Sequence, residues 1–391
     1  MNQAIRVPPT TKVADQALYS PGLDGVIAGE SALCLVDEGA AGLRYRGYAI
    51  GDLAEWSSFE EVAHLLLFGH LPSKNELDGF IAMLAANQFL PDPVEHWVKS
   101  VRPNMHPMDV LRTGISLLGL SDPEVQEGSR EANLRKSVRL LSQIPLLIAH
   151  AYHVPRGKQP ARPAATLGFA HNLLDLLGDR KDHELADALA RVLNVSLILY
   201  AEHEFNASTF AARVVASSLA DLHGAVTAAV ASLKGPLHGG ANEAVASMMV
   251  EIGKPERAEA WVRNALTRKQ RVMGFGHRVL KKGDARSAII QRHAEALSRM
   301  CGDQRWLEIA HIIDRIMREE KGLHPNLDFY TAVSYLLMEI PTDVYTPLFV
   351  CSRIAGWCAH VIEQQDNNRL IRPRALYKGP APRTYEPLDR R

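Results

Sequence analysis

The fold class of this protein is set most clearly by residues 221–252, which read DLHGAVTAAVASLKGPLHGGANEAVASMMVEI. The first half of this stretch is rich in alanine, the strongest helix former, and Gly235-Pro236 ends that helix. Asn242 can then cap a second helix that runs to residue 252. The stretch therefore predicts two helices joined by a short, glycine-rich turn.

Helix start signals continue on both sides of this stretch. Ser57 and Ser58 precede Glu60 and Glu61 in capping-box spacing, and Ser73 with Glu76 repeats the pattern, each ahead of apolar residues at helical spacing. Further helical periodicity covers residues 185–202, 256–269, 285–300 and 329–339. Most of the chain is therefore expected to be helical.

Strand signals are scarce by comparison. The best pair of alternating segments, Ala32–Val36 and Leu43–Tyr48, flanks the turn residues Asp37-Glu38-Gly39 and predicts one hairpin. The predicted fold class is therefore all-α, with at most a small β-hairpin.

Composition places the chain among ordinary compact proteins. Its 391 residues, at roughly 150 per domain, predict two or three structural units. Apolar residues make up 47% and charged residues 23%, which excludes collagen-like, low-complexity and wholly disordered chains. The 44 Lys and Arg residues balance the 44 Asp and Glu residues, so no net field attracts nucleic acid or an anionic membrane. We therefore expect neither a nucleic-acid nor a membrane partner, and any anion site must be local.

The location predicted from the sequence is the cytoplasm. The four cysteines, Cys34, Cys301, Cys351 and Cys358, are too sparse for a disulfide scaffold and indicate a reducing compartment. No run of about 18 apolar residues occurs, and residues 1–19 lack the apolar core of a signal peptide. Secretion and membrane spanning are therefore not expected.

Several familiar catalytic and cofactor motifs are absent from the sequence. His203-Glu204 is not followed by a second histidine at helical spacing, and Gly274-Phe275-Gly276 lacks the third glycine of a dinucleotide-binding loop. No G-x-S-x-G nucleophile elbow occurs. No cluster of His, Cys, Asp and Glu has metal-ligand spacing, so we expect chemistry that needs no metal.

Three short turns carry the polar residues of chemical interest. In the turn over 235–243, His238 lies near the positive N-terminal end of the second helix, where a neutral imidazole is favoured. A neutral imidazole can donate a hydrogen bond to a substrate carbonyl at pH 7. The alternative is a histidine that only completes the turn.

The second turn, over 271–286, is strongly basic. It contains five Lys and Arg residues against one Asp, and Gly274 and Gly276 allow backbone amides to approach a ligand closely. This pattern predicts a local polyanion site. The alternatives are a solvated surface loop and, more weakly, a nucleic-acid contact that has only Phe275 for stacking.

The third turn, over 323–332, places Asp328 at the start of an apolar helix. Acids at such positions commonly serve as caps or dipole partners. Burial beside Phe329 and Tyr330 would instead raise the pKa of Asp328 toward that of a general base. Isolated arginines in apolar helices, such as Arg353, indicate either buried ion pairs or a site for a di-acid.

Taken together and in this order, the three turns resemble the citrate synthase family, including the 2-methylcitrate synthases. The resemblance also covers LRYRGY at 43–48 and HPMDVLR at 106–112, and it extends to the C-terminal arm. It implies a homodimer in which residues 1–238 and 331–391 form a large domain for dimerisation and oxaloacetate binding. Residues 239–330 would form a small, mobile, CoA-binding domain. The sequence lacks the extra N-terminal domain of the large hexameric relatives, which favours the simple dimer.

The resemblance also implies the reaction, in which an acyl-CoA is condensed with oxaloacetate and the resulting thioester is hydrolysed to release CoA. Asp328 matches the base that removes the α-proton, and His238 matches the histidine that binds the thioester carbonyl. His277 matches the residue that polarises and protonates the oxaloacetate carbonyl. A thioester α-carbon is a very weak acid, so its deprotonation needs a base on one side and an oxyanion donor on the other. Because the acyl-CoA is a substrate, no cofactor is expected.

The same resemblance implies the substrate-binding residues. The oxaloacetate positions are matched by His203, Arg286 and Arg353, with Arg372 as the arginine contributed by the neighbouring subunit. The CoA positions are matched by Arg271, Gly274, Gly276, Lys281 and Lys282. The sequence departs from the family pattern at Leu280 and Ala285, where many relatives have an aromatic residue and a proline.

Several functions fit these residues. The first interpretation is a citrate synthase that uses acetyl-CoA. The alternative is a 2-methylcitrate synthase that uses propionyl-CoA, or a bifunctional enzyme, because one methylene in an apolar pocket is worth only about 1 to 3 kcal/mol. A citryl-CoA lyase-type domain and a non-catalytic helical scaffold are further alternatives. The sequence shows no appended CoA-ligase segment, and intact His238, His277 and Asp328 argue against a scaffold.

Overall fold

The computed structural model describes residues 19–37, 42–178, 183–276 and 283–391. Their secondary structure is dominated by α-helices, which confirms the predicted all-α class. In chain order the helices are α1 (Ile50–Trp56), α2 (Phe59–Phe68), α3 (Lys74–Ala86), α4 (Asp92–Val98), α5 (Pro107–Ser121), α6 (Arg130–His153), α7 (Phe169–Leu177), α8 (His183–Tyr200), α9 (Ala207–Ala216), α10 (Leu222–Leu233), α11 (Ala241–Ile252), α12 (Pro255–Thr267), α13 (Ala285–Cys301), α14 (Arg305–Lys321), α15 (Leu327–Leu337) and α16 (Tyr345–Asp366).

Both predicted capping boxes are confirmed, and of the two serines ahead of α2 it is Ser58 that forms the box. At the start of α2, the Ser58 side chain accepts from the Glu61 N–H and the Glu61 carboxylate accepts from the Ser58 N–H, at 3.2 and 2.6 Å. Ser73 and Glu76 form the same reciprocal pair at the start of α3. Each box satisfies two backbone donors that a helix start leaves without partners, so these starts can be read from the sequence.

The helix pair that dominates the sequence pattern is present, with one correction. Asp221 caps α10, its side chain accepting from the Gly224 N–H at 2.9 Å. The prediction that Asn242 caps α11 is wrong, because the cap residue is Gly240 and Asn242 lies inside the first turn. The turn closes early, through a 2.9 Å hydrogen bond from the Gly239 N–H to the Leu233 carbonyl, so the helix restarts before residue 242.

The predicted hairpin is confirmed and is extended by a third strand. Strand β1 (Cys34–Val36) pairs antiparallel with β2 (Leu43–Tyr45), which pairs in turn with β3 (Tyr48–Ala49). The buried Tyr45 hydroxyl donates to the Glu202 carbonyl at 2.9 Å. This contact fixes the small sheet against the end of α8.

Helix α16 is the centre of the core. Nearly every residue from Tyr345 to Ile362 is buried, and the helix packs against α2, α6, α8, α9 and α10. A helix that is apolar on all sides must be surrounded in this way. Arg353 lies in this buried part of α16, so its charge is enclosed by protein.

The chain divides into two compact units. One contains the described parts of the chain ends, 19–30 and Ile371–Arg391, and the other is Ser31–Leu370. The predicted boundaries between a large and a small domain both lie inside the second unit, so that division stays a prediction. Over the described ranges, no helix combines the length and the apolar character needed to cross a membrane.

Candidate active site

The Asp328 carboxylate is held by a buried tyrosine. Asp328 lies in the first turn of α15, where the Tyr200 hydroxyl at the end of α8 donates to its Oδ1 at 2.6 Å. The N-cap of α15 is Asn326, whose Oδ1 accepts from the Asp328 N–H at 3.1 Å. Capping is therefore done by Asn326, and the Asp328 side chain is available for another role.

The surroundings of Asp328 prepare it to accept a proton. Burial raises the pKa of this carboxyl to about 6, although the Tyr200 hydrogen bond and the charge of Arg286 lower it. A base works best when its pKa lies near the operating pH, since it is then ionised and still basic enough to take a proton. Asp328 meets both conditions at neutral pH.

The tautomer of His238 follows from its hydrogen bonds. Its Nε2 lies 3.2 Å from the backbone N–H of Ser208 and 2.8 Å from the Ser208 Oγ. A backbone N–H can only donate, so Nε2 accepts and the proton of the neutral ring is on Nδ1. Within the part of the chain that the structure describes, Nδ1 has no hydrogen-bond partner. It is therefore an available donor.

His238 is neutral at pH 7. Burial, and secondarily the positive charge of Arg353, lower the pKa of His238 to about 4. The sequence predicted a neutral His238 ring because the ring lies near the positive end of the α11 dipole. In the structure, burial is the main cause of the lowered pKa. The loop geometry also requires glycine next to the ring, because a Cβ on Gly239 would lie 2.5 Å from the Leu233 carbonyl oxygen.

Arg353 is a buried guanidinium with open nitrogens. Only 2% of this residue is exposed, and its Nε donates to the Tyr200 carbonyl at 2.5 Å. Its Cζ lies 4.7 Å from the centre of the Phe349 ring. Over the described residues, its two terminal nitrogens have no hydrogen-bond partner. Leaving the donors of a buried guanidinium without acceptors is costly, so this arrangement favours binding of an anion.

Arg286 is also buried, but two of its guanidinium nitrogens already bind a carboxylate of the protein. Its Nε and Nη2 donate to the two oxygens of Asp284 at 3.0 and 2.9 Å. Its Nη1 makes a long contact of 3.4 Å with the Leu199 carbonyl. Arg286 therefore brings positive charge toward Asp328, and Nη1 is the nitrogen least engaged by the protein.

The turn that carries His203 is anchored by a buried polar network. The Glu202 Oε1 accepts from the His203 N–H at 2.8 Å and from the His360 Nε2 at 3.0 Å. Arg213 donates to the His360 Nδ1 at 2.9 Å, which leaves the His360 proton on Nε2, facing Glu202. Arg213 thus orients His360, His360 orients Glu202, and Glu202 holds the backbone of His203 in place.

One aromatic ring brings three of these groups together. The Phe349 ring lies 4.4 Å from Tyr200 and 6.3 Å from His238, centre to centre, and under Arg353. Tyr200 in turn contacts Asp328. His238, Arg353 and Asp328, far apart in the sequence, are therefore neighbours in the fold.

The described part of the basic turn packs against the turn that leads to Asp328. Phe275 and Pro325 form an isolated antiparallel β-bridge, and the Gly276 N–H donates to the His324 carbonyl at 3.0 Å. Gly274 has φ +86°, and a Cβ there would lie 2.8 Å from the Phe329 side chain, so only glycine fits. The need for glycine at position 274 is therefore explained by packing within the protein, without reference to a ligand.

The remaining predicted site residues are placed as follows. Arg271 is exposed at the start of the basic turn, and Arg372 is exposed in the unit that contains the chain ends. His277, Lys281, Lys282 and the departure at Leu280 lie outside the described residues. Over the ranges that are described, no group of three or more His, Cys, Asp and Glu side chains is arranged to hold a metal ion.

Sequence reasoning missed the residues that orient the predicted ones. These are Tyr200, Ser208, Asp284 and Phe349, together with the network of Glu202, Arg213 and His360. Only Asp284 had a readable signal, because an acid ahead of a predicted helix is a cap candidate. Each of the others also depends on a partner on another helix or turn, as Tyr200 depends on Asp328 and Ser208 on His238.

Replacing Tyr200 with Phe is expected to move the acidic limb of the activity profile upward by about one pH unit, since it removes a hydrogen bond that stabilises the Asp328 carboxylate. The pH dependence of kcat/KM measures this. Tyr335→Phe is the matched control, because Tyr335 is an equally buried tyrosine of α15 whose hydroxyl lies 2.7 Å from the Ser196 Oγ. An acidic limb that stays in place in Tyr200→Phe would contradict this role.

Comparison with known proteins agrees with the geometry. The family model described as "Citrate synthase, C-terminal domain" matches residues 22–374. Citrate synthase 2 of Bacillus subtilis strain 168 is 43% identical over 95% of this chain and 98% of its own length. The citrate/2-methylcitrate synthase of the same organism is 42% identical over 93% and 97%. A solved ternary complex of Thermoplasma acidophilum citrate synthase with carboxymethyl coenzyme A and oxaloacetate superposes with a TM-score of 0.87, at 31% identity over 95% of this chain and 99% of that one.

Proposed function

This chain belongs to the citrate synthase family, and on that premise we propose that it condenses acetyl-CoA with oxaloacetate and water to give citrate and CoA. It is an acyltransferase-type condensing enzyme. The observation that supports the reaction best is the pairing of a carboxyl of pKa about 6 with a neutral imidazole whose Nδ1–H is available. These are the base and the donor that enolisation of a thioester needs.

The first step is removal of a proton from the α-carbon of the acyl group. An oxygen of the Asp328 carboxylate takes the proton, the C–H electron pair forms the new carbon–carbon double bond, and the carbonyl π pair moves onto the thioester oxygen. The Nδ1–H of His238 donates to that oxygen and stabilises the enolate as it forms. Because both groups are already oriented, by Tyr200 and by Ser208, little reorganisation is needed at the moment of reaction.

In the second step the enol carbon attacks the ketone of oxaloacetate. We assign protonation of the ketone oxygen to His277, by the family resemblance. The product is a citryl-CoA thioester, which water hydrolyses to citrate and free CoA. The acid, the base and the donor are side chains of this chain, so the proposal includes no cofactor.

The two carboxylates of oxaloacetate are assigned to the arginines. The open terminal nitrogens of the buried Arg353 can bind one carboxylate in a bidentate manner. We assign His203, Arg286 and the neighbouring subunit's Arg372 to the remaining polar groups of the di-acid. CoA is assigned to Arg271, Gly274, Gly276, Lys281 and Lys282, on a small domain of residues 239–330 that closes over the site. We also propose a cytoplasmic location, because the few cysteines of the chain indicate a reducing compartment.

Release of free thiol from acetyl-CoA, measured with and without oxaloacetate, tests the reaction. Thiol release that depends on oxaloacetate and yields citrate supports the proposal. Thiol release without oxaloacetate, or none at all under either condition, would refute it. Cleavage of citryl-CoA without net condensation would instead indicate a lyase-type domain.

Propionyl-CoA is the main competing substrate, because relatives named for both products match this chain. One extra methylene changes the binding free energy by only about 1 to 3 kcal/mol, so some activity with both acyl-CoAs is compatible with the site. Specificity constants for the two acyl-CoAs decide between them. A preference for propionyl-CoA of about 100-fold or more would replace citrate by 2-methylcitrate as the main product.

We also propose that the protein is a homodimer in which Arg372 reaches the partner's site. Dimers that combine one Arg372→Leu chain with one His238→Ala chain then contain one intact site and one doubly altered site. Isolated with two affinity tags, such heterodimers should recover up to about half of the wild-type activity. Heterodimers of two differently tagged His238→Ala chains are the inactive control. No recovery in the mixed heterodimers would exclude sharing of the site.

A further inference from the structure

The segment HPMDVLR at 106–112 belongs to no step of the proposed reaction, yet it contacts both ends of the loop that carries His238. The first of these contacts is ionic. Lys234, the residue after α10, places its Nζ 2.6 Å from both carboxylate oxygens of Asp109 in the first turn of α5. The chain enters the loop at Gly235, so this contact fixes the entrance.

The second contact fixes the exit of the loop. His106 is the N-cap of α5, and its Nδ1 accepts from the Met108 N–H at 3.1 Å, so the proton of the neutral ring is on Nε2. That Nε2 lies 3.4 Å from the Oε2 of Glu243 in the first turn of α11. The Glu243 Oε1 accepts from the Thr346 N–H at 3.0 Å, at the start of α16.

From these contacts we propose that the first turn of α5 is a positioning device that clamps both ends of the 235–240 loop and thereby sets the location of the His238 ring. The inference rests on the function proposed above. His106 and Asp109 are three residues apart on one helical turn, so they move together and hold the two loop ends at a constant separation. Misplacement of a reacting group by about 1 Å can cost on the order of 100-fold in rate.

Stability alone does not account for this arrangement. The four side chains are partly exposed, at 21% for Asp109, 38% for Lys234, 36% for His106 and 23% for Glu243. Ion pairs at such exposure contribute little to the free energy of unfolding. Their placement at the two ends of a catalytic loop is therefore better explained by positioning.

Two substitutions open the clamp without disturbing the helices. His106→Asn keeps an N-cap side chain, since asparagine is a preferred cap residue, but is too short to reach Glu243. Lys234→Met removes the charge and keeps most of the apolar stem. Each should lower kcat by about 3- to 10-fold, leave the KM for oxaloacetate within about twofold and change the melting temperature by less than about 3 °C. Asp109→Asn should cost as much as Lys234→Met, and the double variant no more than either.

Hydrogen exchange gives a readout that does not depend on turnover. The His238 N–H donates to the Gly235 carbonyl and the Gly239 N–H to the Leu233 carbonyl, both at 2.9 Å. Both amides should exchange faster in His106→Asn and in Lys234→Met than in the wild type. This measurement separates the two proposals, because a wild type without oxaloacetate-dependent thiol release would refute the function while the exchange result still stands.

Matched controls, called the α3 controls below, lie in the turn before α3 and in its first turn. His70 contacts Glu76 at 3.2 Å and Lys74 contacts Asp78 at 3.1 Å, so His70→Asn and Lys74→Met remove the same kinds of contact elsewhere. Neither should alter kcat or loop exchange. The clamp is refuted by unchanged exchange in the loop variants, by faster exchange with wild-type kcat, or by a loss of kcat that the α3 controls share.

Discussion

Replacing Asp328 with Asn is expected to reduce kcat by about 1,000-fold, within the range of 10² to 10⁴ found for general bases. The amide is nearly isosteric and its oxygen can still accept from the Tyr200 hydroxyl, so the geometry is retained while proton abstraction is lost. Oxaloacetate binding, measured by calorimetry, should change little because the di-acid is assigned to the arginines. Thiol release with acetyl-CoA measures the loss.

The same substitution is expected to stabilise the fold at pH 7. Burial raises the folded-state pKa of Asp328 from 3.8 to about 6, so the folded protein binds this proton more tightly than the unfolded chain. The charged carboxylate therefore lowers stability, progressively as the pH rises from about 4 to 6, and fully above that. The neutral amide avoids this cost, and thermal unfolding at pH 7 should show a higher melting temperature.

Asp314→Asn is the matched control for this prediction. Asp314 is also buried and accepts from a tyrosine hydroxyl, that of Tyr330, at 3.0 Å. It is expected to keep most of the wild-type turnover. Near-normal turnover in Asp328→Asn, or an equal loss in Asp314→Asn, would refute the assignment of Asp328 as the base.

Replacing His238 with Ala is expected to reduce kcat by about 100- to 1,000-fold, the usual effect of removing one oxyanion donor. The alanine variant has no Nδ1–H to stabilise the enolate. His238→Gln should recover part of the rate, since a glutamine amide can donate a hydrogen bond. Because the pKa of His238 is lowered to about 4, the wild-type profile should show no His238 limb between pH 5 and 8.

His150→Ala is the control for loss of a half-buried histidine. The His150 ring lies in α6 and its Nδ1 bonds to the Leu146 carbonyl at 2.7 Å. This variant should retain wild-type turnover within a few-fold. If His238→Ala turned over as fast as His150→Ala, the thioester carbonyl would have to be stabilised by another donor.

How much of the fold and of the site could be predicted from the sequence depended on how far apart in the chain the interacting residues lie. The capping boxes at Ser58 and Ser73 were predicted correctly because both partners lie within one turn of the chain. The prediction that Asn242 caps α11 was wrong because the Gly239 N–H bonds to the Leu233 carbonyl. This closes the turn early, so that Gly240 becomes the cap residue. His238 and Asp328 could be proposed because glycine, proline and polar residues mark their turns.

The sequence by itself determined the helical class, the small hairpin and the residue types that the chemistry needs, since these follow from periodicity, capping and turn residues over short spans. Only the tertiary structure decided how those residues act. Tyr200 orients Asp328 and Ser208 selects the His238 tautomer, while Arg353 keeps open nitrogens and Arg286 is occupied by Asp284. The pKa values and tautomers on which catalysis depends come from burial and from partners on other helices, and chain folding alone brings those together.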